Sequence, residues 1–214
     1  MRNILCSGVV LLFPALLLAG DVKPLDLPAP QTTGGKPLMQ ALKERKSARA
    51  FSPEKLPPQI LSNLLWAAFG VNREDGHRTA PSAMNRQTID VYVATPDGLY
   101  LYEPKAHRLQ GTLPDDVRSA TGTQDFVRTA AVNLVYVADY AKMGNSSPDD
   151  RLLYSGVEAG VIAQNVYLYC ASDGLATVVR ASVDRAALGR TMRLRPDQHI
   201  VLAHSIGYPA KGPE

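Results

Sequence analysis

Apolar residues recur at helical spacing in two stretches of very different length. The shorter stretch begins at Pro57-Pro58 and keeps apolar residues three and four positions apart up to Gly70, which predicts a helix that ends at this glycine. The longer stretch runs from Asp149 to about Ser172, and its apolar residues cover much of the helical circumference. A helix that is apolar nearly all round is buried in a core or between subunits, so this stretch predicts a central helix.

Shorter apolar runs between turn residues predict strands and short helices. The predicted strands are Ile89–Ala94, Leu99–Tyr102, Ala131–Ala138, Leu175–Val179 and His199–Ile206. Short helices are predicted from Pro37 to about Lys46 and over Pro114–Thr121, Gln124–Arg128 and Asp184–Arg190. Asp97-Gly98 is a hairpin signal between the first two strands. Helices and strands alternate irregularly around this hairpin, which indicates a mixed α+β fold rather than a doubly wound parallel sheet.

The first twenty residues differ from the rest of the chain. Arg2 supplies a positive start, and the segment from Ile4 to Ala19 is almost wholly apolar. This pattern predicts a cleavable signal peptide over residues 1–20 and an exported, periplasmic or secreted protein. An uncleaved membrane anchor is the alternative, although Pro14 interrupts the apolar run and the run is shorter than the roughly 20 residues that a spanning helix needs.

Composition bounds the remainder of the chain. Residues 21–36 are rich in Pro, Gly and Thr, which predicts a flexible leader before a single domain over residues 37–214. Hydrophobic residues make up 45% of the chain and charged residues 20%, as in an ordinary globular protein. The net charge of +3 is too small to indicate nucleic-acid binding. Without the signal peptide, Cys170 is the only cysteine, so the mature chain cannot form an internal disulfide.

A basic segment lies between the first two predicted helices. Arg45, Ser47 and Arg49 alternate, so an extended backbone points their side chains to one side. Two guanidinium groups and a neutral hydroxyl make a compact site for a dianion such as a phosphate. The alternative is a solvated basic helix end, where cations suit the negative end of the helix dipole.

Five motifs then follow one another along the chain. They are Arg45–Phe51, Arg78–Ala83, Gly98–Pro104 with His107 and Leu109, Leu175–Val179, and Ile206–Pro209. In this order they resemble the nitroreductase family: its opening FMN-binding signature, its Pro-Ser-Ala turn, a hairpin typical of the azoline (thiazoline/oxazoline) dehydrogenase branch, its late strand, and its final strand and turn. The resemblance implies an α+β sandwich, with a mixed or antiparallel central sheet flanked by helices. It also implies a homodimer with FMN at the subunit interface, and the long apolar helix is then the expected dimer helix.

The resemblance assigns cofactor-binding roles to twelve residues. Arg45, Lys46, Ser47 and Arg49 would hold the FMN phosphate and ribityl chain, and Lys211 is the one cation after the last strand that could add to them. Pro81, Ser82 and Ala83 would border the pyrimidine edge of the ring, and Asn85 and Gln87 match positions that contact ribityl or pyrimidine oxygens. Val179 and Arg180 lie where relatives offer a backbone N–H to flavin N5. The Arg180 side chain could place a cation near the flavin or form a salt bridge at the strand end.

The leading hypothesis is an exported FMN-dependent oxidoreductase. The resemblance implies ping-pong transfer of hydride or electrons through flavin N5, with NADH or NADPH as the donor in typical relatives and a small molecule as the acceptor. Because the flavin carries this chemistry, no side chain is assigned as catalytic and no metal is expected. A flavin-binding or interaction protein without turnover is the alternative. Glu158 lies inside the long apolar helix and needs a polar partner if it is buried.

Overall fold

A computed structural model describes residues 22–211, so the signal peptide predicted over residues 1–20 lies outside the described part of the chain. The helices in this part are α1 (Leu38–Glu44), α2 (Pro58–Phe69), α3 (Pro148–Asp173) and α4 (Arg185–Thr191). The strands are β1 (Leu25–Asp26), β2 (Ile89–Thr95), β3 (Gly98–Glu103), β4 (Arg108–Leu113), β5 (Val132–Asp139), β6 (Ala176–Arg180) and β7 (Gln198–Gly207). Short 3-10 turns connect several of these elements.

The strands form one sheet in the order β1-β4-β3-β2-β5-β7-β6. Every neighbouring pair is antiparallel. All residues of β5 are buried, because α2 and α3 pack on one face of the sheet and α4 packs on the other. This arrangement confirms the predicted α+β sandwich and explains why β5 is an apolar run without alternation.

The two main helices begin and end at the proline, serine and glycine residues that mark helix termini in the sequence. α2 has a proline at its first position, buries Leu64 and Leu65 completely, and ends before Gly70. In α3 the Ser147 side chain accepts a hydrogen bond from the backbone N–H of Asp150 and so caps the N-terminus. Gly174, at φ 74°, takes the left-handed conformation that ends α3.

Only part of α3 is buried in the single chain. Its C-terminal half packs into the core through residues such as Ile162 and Val166. In its N-terminal half, Leu152, Leu153 and Val157 are 66%, 60% and 57% exposed. The apolar circumference predicted from the sequence therefore leaves an uncovered face on this half of the helix. In the described range 22–211, no helix combines the length and apolar character needed to cross a membrane.

The structure corrects the prediction of a flexible leader for residues 22–36. Leu25–Asp26 pairs with β4, the backbone N–H of Gln31 donates to Asn63 Oδ1 at 2.8 Å, and that of Lys36 donates to Ser172 Oγ at 2.7 Å. The segment thus lies on the domain as an extended strap. Its Pro, Gly and Thr content rules out a helix, but the groups that hold it come from distant parts of the chain, which local composition does not reveal.

Two predicted helices are shorter than expected. The first is a helix only over Leu38–Glu44, so Arg45 and Lys46 belong to the extended segment that follows. The segment predicted over Pro114–Thr121 forms only a 3-10 turn at Arg118–Thr121. Such short segments lack the repeated apolar face that stabilises a helix through packing.

Candidate functional site

The basic segment, Arg45–Arg49, lies along the outer edge of β6. The backbone N–H of Ala48 donates to the carbonyl oxygen of Thr177 at 2.9 Å. Because β6 is the last strand of the sheet, this bond covers part of an otherwise free edge. Further along, Phe51 forms a bridge with Pro209, so the segment runs between β6 and the turn after β7.

Tyr167 on α3 connects this segment to β6. Its hydroxyl is hydrogen-bonded to Ser47 Oγ at 2.8 Å and accepts the backbone N–H of Val179 at 3.1 Å. The guanidinium carbon of Arg45 lies 5.2 Å from the centre of the Tyr167 ring, within cation–π range. Tyr167 is not among the site residues predicted from the sequence, because a tyrosine in an apolar helix is usually a packing residue.

A buried histidine supports the Tyr167 ring from behind. The two rings lie 5.0 Å apart, and His204 is completely buried. The Thr177 hydroxyl donates its proton to the backbone carbonyl oxygen of Ser205, so it can only accept from His204. His204 Nε2–H therefore donates to Thr177 Oγ1 at 2.8 Å, and His204 Nδ1 accepts from the Tyr136 hydroxyl at 3.0 Å. Burial lowers the pKa of His204 to about 3, so this imidazole is neutral and fixed in one tautomer.

A half-open pocket of about 510 Å³ adjoins the basic segment. Its lining includes Lys46, Tyr167, Thr177 and Pro209, but not Arg45, Ser47 or Arg49. Among the described residues, the cations of the basic segment form no ion pair, whereas neighbouring Lys36 is paired with Glu44 at 2.6 Å. Lys46 therefore faces the pocket, whereas Arg45 and Arg49 are unpaired cations of the same segment outside its lining. Unpaired guanidinium groups near a hydroxyl fit a phosphate-bearing ligand.

The Pro-Ser-Ala turn, Pro81–Ala83, lies elsewhere along α3. Ser82 Oγ donates to Glu158 Oε2 at 2.8 Å. Glu158 precedes Tyr167 by nine residues, which corresponds to about 13.5 Å along the helix axis. The 510 Å³ pocket is not lined by any residue of the Pro-Ser-Ala turn. One chain therefore presents the basic segment and this turn as two separate places on α3.

The residues after the Pro-Ser-Ala turn adopt an unusual backbone conformation. Met84, Asn85 and Gln87 have φ values of 54°, 51° and 51°, in the left-handed region that non-glycine residues rarely occupy. Gln87 Nε2 donates to Asn85 Oδ1 and to the carbonyl oxygen of Gly76, both at 3.0 Å. The Gln87 amide predicted to contact a cofactor therefore holds its own loop together in this structure. Such strain persists only where the surroundings hold it, and it concentrates at functional sites.

The Arg180 side chain does not lie beside the pocket, in contrast to one predicted role. Successive residues of a strand point to opposite faces, so Arg180 faces away from the side of Val179. Its guanidinium is buried and donates to the carbonyl oxygen of Thr121 at 2.8 Å and to Asn133 Oδ1 at 3.2 Å. These neutral acceptors exclude the predicted alternative of a strand-end salt bridge as well. Burial lowers the pKa of Arg180 to about 10.

Lys211 is exposed and follows Pro209, which lines the pocket, by two residues. Its position at the end of the described chain is compatible with a contact to a phosphate. Its predicted role in cofactor binding stays a prediction.

Comparisons with known proteins agree with this fold. The model of the nitroreductase family matches residues 42–208. A putative nitroreductase of Methanocaldococcus jannaschii is 34% identical over 151 residues, which are 66% of this chain and 76% of that protein. The crystal structure of a putative nitroreductase from Ralstonia eutropha is 45% identical, with a TM-score of 0.85 over 96% of this chain and 97% of that chain. The NADPH:FMN oxidoreductase from Vibrio harveyi, solved in complex with NAD+, shares the fold at 20% identity and a TM-score of 0.62, over 83% of this chain and 70% of that chain.

The range matched by the family model contains most of the candidate site. The basic segment, the Pro-Ser-Ala turn, Tyr167 and Val179 all lie between residues 42 and 208. The match covers well over half of the chain, and the curated relative is similar over most of its own length. The chain therefore belongs to the nitroreductase family of flavin-dependent oxidoreductases.

Proposed function

We propose that the chain is an FMN-dependent oxidoreductase whose basic segment holds the cofactor phosphate. The observation that carries this proposal is that Arg45, Lys46 and Arg49 form no ion pair among the described residues, while Lys46 of the same segment lines the 510 Å³ pocket. Arg45 and Arg49 would bind the dianion through charge-assisted hydrogen bonds, and Lys46 lines the pocket itself. A phosphate is the ligand group that best matches two guanidinium forks and a neighbouring hydroxyl.

The chain's own donors would orient the rest of the cofactor. When bound, a flavin supplies the hydride and electron transfer, so the protein needs donors and a shielded surface rather than a nucleophile. The backbone N–H of Val179, which the family resemblance assigns to flavin N5, points out of the edge of the sheet toward the Tyr167 hydroxyl. That hydroxyl holds both the Val179 N–H and Ser47 Oγ at this strand edge, so a cofactor would take over donors that are already positioned.

We further propose that the protein is a symmetric homodimer that completes the site. The exposed apolar face of α3 is a surface that a second copy would cover. The basic segment and the Pro-Ser-Ala turn lie about 13.5 Å apart along α3. A two-fold axis near α3 would allow the turn of one chain to approach the basic segment of the other. Two equivalent cofactor sites would result.

Export is proposed from residues 1–20, and it bears on the electron donor. Because nicotinamide cofactors are cytoplasmic, an exported enzyme of this kind would use another reductant or would oxidise its substrate. Mass spectrometry of the protein from the producing cell tests export. A mature N-terminus near Asp21 is expected, and an intact Met1 in a membrane-free fraction would contradict it.

Absorbance and anaerobic reduction test the activity. The mature chain from Asp21 is expected to be yellow or to take up added FMN, and to lose its flavin absorbance with dithionite and with at least one physiological donor, for which NADH, NADPH and non-nicotinamide reductants are compared. A colourless protein that does not bind FMN would overturn the proposal. A yellow protein that dithionite reduces but that no donor reduces would favour the alternative of a flavin-binding protein without turnover.

A further inference from the structure

Glu158 is a carboxylate buried inside α3, where it is only 3% exposed. Its Oε2 accepts from Ser82 Oγ at 2.8 Å and from the side chain and backbone N–H of Thr88 at 2.7 and 3.3 Å. Its Oε1 accepts from the backbone N–H of Ile89 at 3.2 Å. All four donors belong to the segment that enters β2, so one side chain ties this segment to the middle of α3.

An ionised carboxylate suits this position better than a neutral side chain. A carboxylate only accepts hydrogen bonds, and two of its donors here are backbone N–H groups that cannot reverse their role. Burying the charge is tolerable only with several such donors. The guanidinium of Arg78, which lies 4.1 Å from the centre of the Phe69 ring, adds a favourable charge: burial lowers the pKa of Arg78, and the charge of Glu158 opposes that shift.

The network reaches the strained loop through Ser82. Ser82 Oγ donates to Glu158 and accepts the backbone N–H of Gln87 at 2.8 Å. Gln87 has the same left-handed conformation as Met84 and Asn85 in this loop. A loop of this kind keeps its shape only if neighbouring groups hold it, and Glu158 is anchored in a long helix packed into the core.

We propose that Glu158 is a positioning residue that fixes the Pro-Ser-Ala turn in the orientation needed to meet the cofactor ring. The proposal rests on the FMN-binding function given above and assigns Glu158 no contact with the cofactor. Glu158 acts through Ser82, so removing either partner should weaken FMN binding by the same route. Thr88 also donates to Glu158, but it lies outside the turn, and its loss should cost stability without moving the turn.

A double-mutant cycle on the full mature protein tests this inference. Wild type, Glu158→Gln, Ser82→Ala and the double variant are titrated with FMN by fluorescence quenching, and Thr88→Val is the control that removes another hydrogen bond to the same carboxylate. Each of the two single variants should raise the Kd for FMN roughly tenfold, the double variant should raise it no further, and Thr88→Val should change it less than about twofold. Thermal unfolding of all variants is recorded in parallel.

The possible results separate this inference from the proposed function. An unchanged Kd in Glu158→Gln, additive effects in the double variant, or a Thr88→Val effect equal to that of Ser82→Ala would each overturn the positioning role while FMN binding by the wild type stands. A wild type that binds no FMN would remove both. If Glu158→Gln does not fold, the comparison of Ser82→Ala with Thr88→Val decides: a weakening of FMN binding by Ser82→Ala alone supports the role, and equal effects contradict it.

Discussion

Substitution of Tyr167 by Phe separates the role of its hydroxyl from that of its ring. The ring contacts with Arg45 and His204, at 5.2 and 5.0 Å, do not involve the hydroxyl and stay in place. The variant loses the hydrogen bond to Ser47 and leaves the Val179 N–H without its acceptor. A buried donor without an acceptor lowers the free energy of unfolding by about 1–3 kcal/mol. Because Val179 is only half-buried, water can bind its N–H, and we expect a loss of about 1 kcal/mol.

The predicted loss of folding stability in Tyr167→Phe depends on whether FMN is present. Without FMN, about 1 kcal/mol should lower the Tm by about 2–4 °C for a domain of this size. With saturating FMN, the Val179 N–H would have a new acceptor, so the difference between variant and wild type should shrink to less than half. Differential scanning fluorimetry without and with FMN measures both values.

Tyr169→Phe is the matched control for this experiment. Tyr169 lies on the same helix, and its hydroxyl donates to Asp173 Oδ2 at 3.2 Å, away from the basic segment. The Tm change in this control should be the same with and without FMN. If the Tyr167→Phe difference stays constant or grows when FMN is added, the Val179 N–H does not face the cofactor, and the assignment of this strand edge is wrong.

Two further predictions concern assembly and pH. Leu153→Asp places a charge on the exposed apolar face of α3, so sedimentation equilibrium should show a dimer for wild type and a monomer for the variant; a monomeric wild type would contradict the proposed homodimer. His204 has a pKa lowered from 6.5 to about 3 in the folded state, so only the unfolded state takes up its proton between these values, and stability falls as pH decreases through this window. Denaturant unfolding should therefore show that His204→Gln loses about 2 kcal/mol less than wild type between pH 7 and pH 5; equal losses in the two proteins would contradict a buried neutral imidazole.

Long periodic segments could be predicted because each carries its own pattern of buried positions. α3 was predicted from Asp149 to about Ser172 and spans Pro148–Asp173, and β5 was predicted one residue too early. β4 was not predicted, since Gln110, Gly111 and Thr112 interrupt its apolar pattern. A Cβ at Gly111 would collide with the carbonyl oxygen of Val22, so the glycine in this strand is required by the N-terminal strap that packs against it.

In the candidate site, too, features that depend on neighbouring residues could be predicted, and contacts between distant parts of the sequence could not. The alternation of Arg45, Ser47 and Arg49 could be recognised in the sequence because it depends on neighbouring residues only. Tyr167 was missed because its partners Ser47 and Val179 lie in other parts of the sequence. The resemblance placed Val179 and Arg180 together, whereas the alternation of a strand sends their side chains to opposite faces.

The central claim is that the basic segment recognises the phosphate of FMN, and a comparison of FMN with riboflavin tests it most directly because riboflavin lacks only that phosphate. Two charge-assisted contacts predict that wild type prefers FMN by at least about 100-fold in Kd. The double variant Arg45→Ala/Arg49→Ala should lose most of this preference while its riboflavin affinity stays the same, and Arg190→Ala, which removes a charge from an exposed site on α4, should keep it. Equal affinity of wild type for the two flavins, or a preference that survives in the double variant, would contradict the account.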